Sequence, residues 1–217
     1  MTNAFADIAF TPSVKAAQVH DGSRESLERR LESSFEGEGE PTHHRLGEPE
    51  ADFISGQRSF YMATVSETGW PYVQHRGGPR GFLKVLGPQT LAFADFAGNR
   101  QLISVGNLAA NDRVALIMVD YALRVRLKVL GHLSQHDLTA GDPLATELLR
   151  PDYRARSQRA MTIHVEAFDW NCPQHIPVRI DAEDVERILS ERDQRIAELE
   201  RLLAEANASR PGSRGVR

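Results

Sequence analysis

The feature that most constrains the fold of this chain is a series of short strand-like segments between Asp52 and Cys172. Segments rich in aromatic and β-branched residues alternate there with turns that contain Gly and Pro. Strands are predicted over 59–66, 71–76, 82–86, 90–95, 114–121, 124–133 and 161–168, and one short helix over 100–108. Short strands at this spacing, with few helices between them, favour an antiparallel barrel.

The segments that flank this region have different patterns. Within residues 1–50, a helix is predicted to start after Ser23, and the Gly- and Glu-rich stretch 36–41 is predicted to be a loop. The sequence therefore predicts four parts. They are an N-terminal helical and loop extension over 1–50, a barrel over 51–178, a C-terminal helix over 179–208 and a disordered tail over 209–217.

The C-terminal segment carries a repeat that is typical of an amphipathic helix, with Asp181 as a plausible N-cap. The repeat, with alternating spacings of four and three, consists of Val185, Leu189, Arg192, Ile196, Leu199, Leu203 and Ala206. Two interpretations stay open at this point: a short coiled coil, or a helix that packs on its own domain. The arginine at one seam position counts against the first of them.

Composition excludes several classes of protein. With 41% hydrophobic and 26% charged residues, the chain can fill a core, and its net charge of −4 gives no reason to expect nucleic acid as a partner. No apolar run approaches the roughly 20 residues of a membrane helix, and the N-terminus does not resemble a signal peptide. Its single cysteine permits no internal disulfide. We therefore expect a cytoplasmic protein with no membrane partner.

Common catalytic signatures are missing, but polar groups concentrate around two turns. Gln74-His75-Arg76 ends one predicted strand, and Gly98-Asn99-Arg100 precedes the predicted short helix. Backbone N–H groups and Arg100 could hold a phosphate there, although an Asn N-cap beside a surface arginine is the simpler interpretation. Alternating cations in the strand over 124–128 usually form a solvated face. Taken with the two arginines above, they supply enough charge for a phosphorylated ligand.

Taken in order, these segments resemble the FMN-binding split barrel of the pyridoxamine 5′-phosphate oxidase-like proteins. The likeness is carried by residues 63–65, 69–79, 81–86, 91–101, 106–108 and 124–131. It implies a mainly β, α+β fold: an antiparallel Greek-key split barrel with short flanking helices and the C-terminal amphipathic helix. It also implies FMN as cofactor and a homodimer with the flavin sites at its interface.

In this family the cofactor lies along the second strand, and its phosphate is held after the fourth. The resemblance therefore implies cofactor contacts from Gln74, His75, Arg76, Gly77, Phe93, Ala94, Asp95, Asn99, Arg100, Gln101, Arg126 and Lys128. Trp170 and Gln174, in the segment 168–175, are candidates to complete the site of the partner chain. The alternative for that segment is a strand followed by an ordinary turn. No metal is expected.

The resemblance implies an oxidoreductase that transfers hydride at flavin N5 to or from an unidentified small molecule. Arg76 or Arg126 would stabilise the anionic reduced flavin, and His75 could move protons unless it only packs on its strand. The Trp- and Arg-rich C-terminal segment that grips the vitamin B6 substrate is not found, so that reaction is not expected. A non-catalytic flavin-binding or sensing homodimer is the alternative. Haem or a deazaflavin in the same groove is a third possibility.

Overall fold

The computed structural model describes residues 3–33, 42–139, 141–149, 153, 155–171 and 174–208. Seven helices lie in these residues: α1 (Ala4–Ala9), α2 (Pro12–Asp21), α3 (Arg24–Ser33), α4 (Glu48–Gly56), α5 (Ile103–Leu108), α6 (Pro143–Leu148) and α7 (Ala182–Ala208). Seven strands lie there too: β1 (Ser59–Val65), β2 (Pro71–Gly77), β3 (Lys84–Gly87), β4 (Thr90–Phe96), β5 (Arg113–Asp120), β6 (Val125–Asp137) and β7 (Ser157–Asn171). The loop predicted over 36–41, Cys172 and the tail predicted over 209–217 fall outside the described residues.

All seven strands form one antiparallel sheet in the order β2-β1-β5-β6-β7-β4-β3. The predicted antiparallel split barrel is confirmed, and every predicted strand exists. Three of them differ in extent by more than one residue at an end, and β6 runs four residues beyond its predicted end, to Asp137. Phe82 and Leu83, predicted to open β3, precede that strand and are buried in the core. β7 is longer than predicted because it pairs along its length with both β6 and β4.

Alternating burial along the strands builds the core. In β1 the side chains of Phe60, Met62 and Thr64 are buried, while their neighbours are half-buried or exposed. β4 differs, because five consecutive residues are buried. One face of β4 joins the main core, and Ala92 and Ala94 pack on the other face with Leu148 of α6 and Ala160 of β7.

The sheet curls until strands far apart in its order meet. Arg76 of β2 contacts Asp95 of β4, and the rings of Phe60 in β1 and Phe93 in β4 lie 5.2 Å apart at an interplanar angle of 80°. β2 is the first strand in the order and β4 the sixth. These contacts close the barrel, and they bring β2 and β4 to the same side of the molecule.

Sequence analysis predicted α3 and α7 but missed α1, α2, α4 and α6. Because α1 and α6 have only six residues each, they are too short for a helical repeat to be visible. No residue of α2 is buried, so its sequence lacks a clear apolar face. α4 straddles residue 50, where the composition changes, and its Ile54 is fully buried in the core. A helix such as α4 depends on tertiary contacts, which short-range patterns do not reveal.

The chain divides into two compact units. One contains Met1–Asp120 and Arg124–Ile176, and thus the whole sheet; the other contains Tyr121–Leu123 and Pro177–Arg217, and thus α7. In this second unit the Arg179 guanidinium lies over the Tyr121 ring, 4.8 Å from its centroid. Among the residues described, no helix combines the length and the apolar character needed to cross a membrane.

Gly131 in β6 lies where the pairing of β6 with β7 shifts register. A Cβ atom at this position would collide with the carbonyl oxygen of His164 on β7. Gly131→Ala is expected to lower the free energy of unfolding by about 1–3 kcal/mol, as overpacking does elsewhere. The control is Gly106→Ala in α5, where the added Cβ meets nothing within 4 Å apart from its chain neighbours and the backbone of its own helix. Urea denaturation should show a loss for the first variant only; equal stabilities would contradict the close approach.

Candidate functional site

A polar pocket opens where β2, β4 and the start of α5 come together. Its volume is about 180 Å³. The pocket is lined by Tyr72, Gln74, Arg76, Asp95, Phe96, Gly98, Asn99, Arg100, Gln101, Leu102, Ile103, Ser104 and Val105. The side chains from β2 follow one another at every second position, as one face of a strand requires. Six residues that the sequence analysis singled out thus meet in one place: Gln74, Arg76, Asp95, Asn99, Arg100 and Gln101.

A buried carboxylate between two arginines forms one wall of the pocket. Arg76 Nη1 donates to Asp95 Oδ1 at 2.5 Å, and Arg159 Nε lies 3.4 Å from Asp95 Oδ2. The exposed fractions of the Arg76 and Asp95 side chains are 12% and 7%. One carboxylate thus faces two guanidinium groups, which leaves a net positive charge around Asp95, although Arg159 itself is not among the residues that line the pocket. That charge favours an anionic ligand.

The loop between β4 and α5 forms the opposite wall. Arg100 and Leu102 both have left-handed backbone conformations, with φ of 60° and 54°. Asn99 Oδ1 accepts a hydrogen bond from Gln101 N at 3.2 Å. The α5 helix begins at Ile103 with Leu102 as its N-cap, so the predicted start at Arg100 was wrong, and so was the N-cap role considered for Asn99. Asn99 organises the loop instead, and it leaves Arg100 exposed at the pocket.

Two hydrogen bonds fix α5 to the barrel beside this loop. Ser104 Oγ donates to Gln74 Oε1 at 2.9 Å, and Asn107 Nδ2 donates to Thr64 Oγ1 at 2.9 Å. Both α5 residues are buried. Because its Oε1 is engaged in this way, the Gln74 side chain is held at the pocket wall with its amide oriented.

Four of the implied cofactor residues do not line this pocket. His75 lies on the other face of β2, with its ring 5.5 Å from that of Tyr61. Gly77 is the exposed last residue of β2. Phe93 and Ala94 are both buried, at 1% and 3% exposure, on opposite faces of β4. Neighbouring residues of a strand point to opposite sides, so a consecutive run cannot line one pocket.

The remaining implied residues also lie elsewhere on the barrel. Arg126 and Lys128 are on β6, and Lys128 Nζ is 3.3 Å from Asp169 Oδ2. Trp170 Nε1 donates to Glu50 Oε1 at 2.7 Å, which ties β7 to α4. Gln174 is exposed in a turn after β7. None of these four residues lines the pocket between β2 and β4.

Sequence analysis missed several residues of the pocket wall. Tyr72 was detectable, because it lies two residues before Gln74 on a predicted strand and therefore shares its face. Ser104 and Phe96 carried no such signal. Ser104 belongs to a helix whose start was predicted three residues too early, and Phe96 follows the register shift at the end of β4.

A second feature of the barrel is an apolar groove on its outer face. The groove is lined by Phe5, Tyr61, Ala63, Val73, Ala115, Leu116, Ile117, Lys128 and Leu130. Tyr61 and Val73 are 43% and 60% exposed there. Lys128 is the one charged residue among those that line the groove, and its Nζ lies 5.3 Å from the centroid of the Phe5 ring.

The groups at the pocket suit a phosphorylated, partly aromatic ligand such as FMN. Arg76 and Arg100 supply positive charge, Gln74 and Asn99 supply amides, and Tyr72 supplies an aromatic ring. Arg76 Nε is buried and has no hydrogen-bond partner among the described residues. An arginine already oriented by a carboxylate and with donor capacity to spare is suited to a polar ring edge.

Together these features define an antiparallel split-barrel protein with a cation-lined pocket between its second and fourth strands. The family model described as pyridoxamine 5′-phosphate oxidase matches residues 47–167, more than half of the chain, and the protein belongs to this family. No curated protein sequence matches the chain.

Solved structures with a similar fold include proteins associated with different ligands. A candidate pyridoxamine 5′-phosphate oxidase from Lactobacillus delbrueckii has a TM-score of 0.45 and 20% identity, covering 59% of this chain and 96% of its own. An FMN-binding protein from Syntrophomonas wolfei has a TM-score of 0.44 and 14% identity, covering 71% and 97%. The heme storage protein HutZ from Vibrio cholerae has a TM-score of 0.37 and 15% identity, covering 56% and 92%.

Proposed function

We propose that this protein binds FMN in the pocket between β2 and β4 and acts as an oxidoreductase on an unidentified small molecule. The observation that carries the proposal is the convergence of Gln74, Arg76, Asn99 and Arg100 on one pocket in a member of this family. When bound, FMN supplies hydride transfer at N5, and the protein supplies orientation and charge.

The pocket offers different groups at its two ends. Arg100, Asn99 and the backbone of their loop would hold the phosphate, because a flexible exposed guanidinium and amide groups suit a solvated dianion. Arg76 and Gln74, held by Asp95 and Ser104, would face the ring, because fixed donors orient a planar heterocycle. A positive group at the ring also favours its anionic reduced form.

We also propose that the chain forms a homodimer, and the apolar groove supports this proposal. Side chains such as Tyr61 and Val73 would lie in water in a single chain, and exposed apolar grooves of this kind mark interaction sites. A second copy of the chain would cover the groove and, as the family likeness implies, complete each flavin site. His75 lies beside Tyr61 on this face, so in a dimer it would be near the partner rather than in its own pocket.

The absorbance spectrum of the purified protein tests the cofactor directly. Flavin bands that persist after desalting support FMN, whereas a haem Soret band, or colourless protein that ignores added FMN, would contradict it. Steady-state oxidation of reduced nicotinamide with added electron acceptors then tests catalysis. A yellow protein with no turnover across many acceptors would favour the alternative, a flavin-binding or sensing homodimer.

Arg100→Ala tests the phosphate end of the pocket. Losing one charge-assisted hydrogen bond to phosphate is expected to weaken FMN binding by roughly 1.5–3 kcal/mol, a Kd increase of roughly 10- to 150-fold. Binding can be followed by quenching of flavin fluorescence. Riboflavin, which lacks the phosphate, should bind the variant and the parent equally. Arg113→Ala, an exposed arginine outside this pocket, is the matched control. Unchanged FMN affinity would place the phosphate elsewhere.

A further inference from the structure

The α7 helix leaves a continuous apolar face uncovered. No α7 residue is buried. The large apolar side chains on this face are between 39% and 62% exposed: Val185, Ile188, Leu189, Ile196, Leu199, Leu202 and Leu203. Over 27 residues the helix is about 40 Å long, and its apolar face, from Val185 to Leu203, extends for almost three heptads. A helix of this kind needs a partner for its apolar side.

Heptad positions follow directly from the spacing of these residues. The a positions are Leu189, Ile196 and Leu203, and the d positions are Val185, Arg192, Leu199 and Ala206. The three acidic e positions are then Glu186, Asp193 and Glu200. The g positions are Ile188, Arg195 and Leu202, so two of them widen the apolar face and the third is basic.

This arrangement of charge distinguishes the two orientations in which two copies could pair. In a parallel pair, each g residue faces the e residue five positions later on the other helix, so Arg195 faces Glu200 of the second copy. In an antiparallel pair, e faces e and g faces g. The acidic e positions would then repel one another, and Arg195 would face its own counterpart. The parallel orientation therefore brings opposite charges together, whereas the antiparallel orientation brings like charges together.

Ion pairs within the helix are consistent with this use of its faces. Arg187 pairs with Glu191 at 3.0 Å and Arg195 with Glu198 at 2.5 Å. Glu191 and Glu198 occupy c positions, away from the seam. These pairs stabilise the helix itself and leave Asp193 and Glu200, at the edge of the seam, without an ion pair among those found in α7. Arg195 is engaged by Glu198, but its guanidinium has five N–H donors, so it can keep this pair and also meet Glu200 of the second copy.

The seam arginine and the length of the apolar face together favour one alignment of the two helices. Arg192 occupies a d position, and a d side chain packs among residues of the facing helix that include its e position. In a parallel pair without offset, the Arg192 guanidinium can therefore reach Asp193 of the second copy. An offset of one heptad would keep Arg192 beside an acidic e residue, Glu186 or Glu200, but it would set the arginine against valine or leucine in the seam and leave about one heptad of the apolar face uncovered on each helix. A single polar residue in a seam is a known means of setting register at a cost in stability.

We propose that α7 forms a parallel, in-register coiled coil with α7 of a second copy of this chain. The inference deepens the proposed homodimer, by adding a second contact whose orientation is set by charge, but it does not depend on FMN. Charge complementarity between the e and g positions favours a second copy over an unrelated partner, because the same helix carries both the acidic e residues and the basic g residue.

Disulfide trapping in the full-length protein tests this arrangement. With Cys172→Ser as background, Leu189→Cys and Leu203→Cys place thiols at a positions near opposite ends of the seam, and Gln194→Cys places one at an outward f position. Under mild oxidation, each a-position variant should form a covalent dimer at least about tenfold faster than Gln194→Cys, because facing a residues lie within disulfide reach. Equal rates for all three would overturn the proposal. So would a mixed sample in which Leu189→Cys links only to Leu203→Cys, since that pattern is antiparallel.

A charge exchange provides an independent test on the Leu203→Cys background. Glu200→Lys should slow the cross-linking severalfold because it opposes Arg195 of the second copy, and adding Arg195→Glu should restore the rate. The control Gln194→Lys adds a positive charge at an outward f position and should have little effect. Failure of the second exchange to restore the rate would contradict parallel pairing. Flavin absorbance of every sample is recorded separately, so loss of FMN binding and loss of helix pairing are distinguished.

Discussion

Replacing Arg76 by methionine is expected to lower the free energy of unfolding by about 3 kcal/mol in the absence of flavin. Removing one partner of a buried ion pair leaves the other charge uncompensated, which costs about 3–5 kcal/mol in other proteins. We expect the lower end of that range, because Arg159 remains 3.4 Å from Asp95. Urea denaturation of flavin-free protein measures the loss without any contribution from bound ligand.

A double-mutant cycle shows whether this loss comes from the ion pair. Asp95→Asn alone leaves Arg76 and Arg159 close together without a carboxylate, and it should also be strongly destabilising. The double variant Arg76→Met with Asp95→Asn removes both members of the pair, so its loss should be clearly smaller than the sum of the two single losses. Additive losses would mean that Arg76 and Asp95 do not interact, and the closure of β2 onto β4 would then be wrong.

The same variant tests the role of Arg76 in the pocket. If Arg76 faces the flavin ring, Arg76→Met should weaken riboflavin and FMN by the same factor, since both carry the ring. Arg100→Ala should weaken FMN alone. The two arginines thus have distinct signatures with the same pair of ligands. If Arg76→Met binds riboflavin and FMN with the same affinity as the parent protein, the role of Arg76 is structural only.

Phe93→Ala is expected to lower the free energy of unfolding by about 3–5 kcal/mol, the usual range for a buried phenylalanine. Phe93 is 1% exposed, packs edge-on against Phe60 and lies 5.8 Å below the Arg76 guanidinium. Its removal leaves a cavity at the point where β1, β2 and β4 meet. Thermal or urea denaturation measures the loss.

The matched control is Tyr72→Ala, which removes a half-buried aromatic side chain that lines the pocket. We expect Tyr72→Ala to reduce FMN affinity with a smaller loss of stability. Phe93→Ala, compared at equal folded fraction, should change FMN affinity little. The opposite result, in which Phe93→Ala is stable but loses FMN, would restore the direct cofactor contact that the family likeness implied for Phe93.

The strands were predictable because each depends on short-range features of the sequence. The hairpin between β1 and β2 is an example: Gly69 takes φ of 86° in the predicted turn, and its N–H donates to the Ser66 carbonyl at 2.9 Å. The residue preferences of turns and the two-residue hydrophobic period of strands are local features, so both can be recognised in a single sequence. The heptad spacing of α7 was visible for the same reason.

The site was only partly predictable, because it depends on which strand faces meet. Gln74, His75 and Arg76 are consecutive in sequence, yet the first and third line the pocket and the second lies on the outer face. The sequence determined that strands, turns and a terminal amphipathic helix would form, and that cations would lie near the fourth strand. Only the tertiary structure decided that Arg76 and Asp95 pair across the barrel and that Phe93 belongs to the core. The physical reason is the distance along the chain over which each effect acts. Hydrophobic periodicity and turn preference act over a few residues, whereas the curl of a seven-strand sheet is set by all of its side chains packing together.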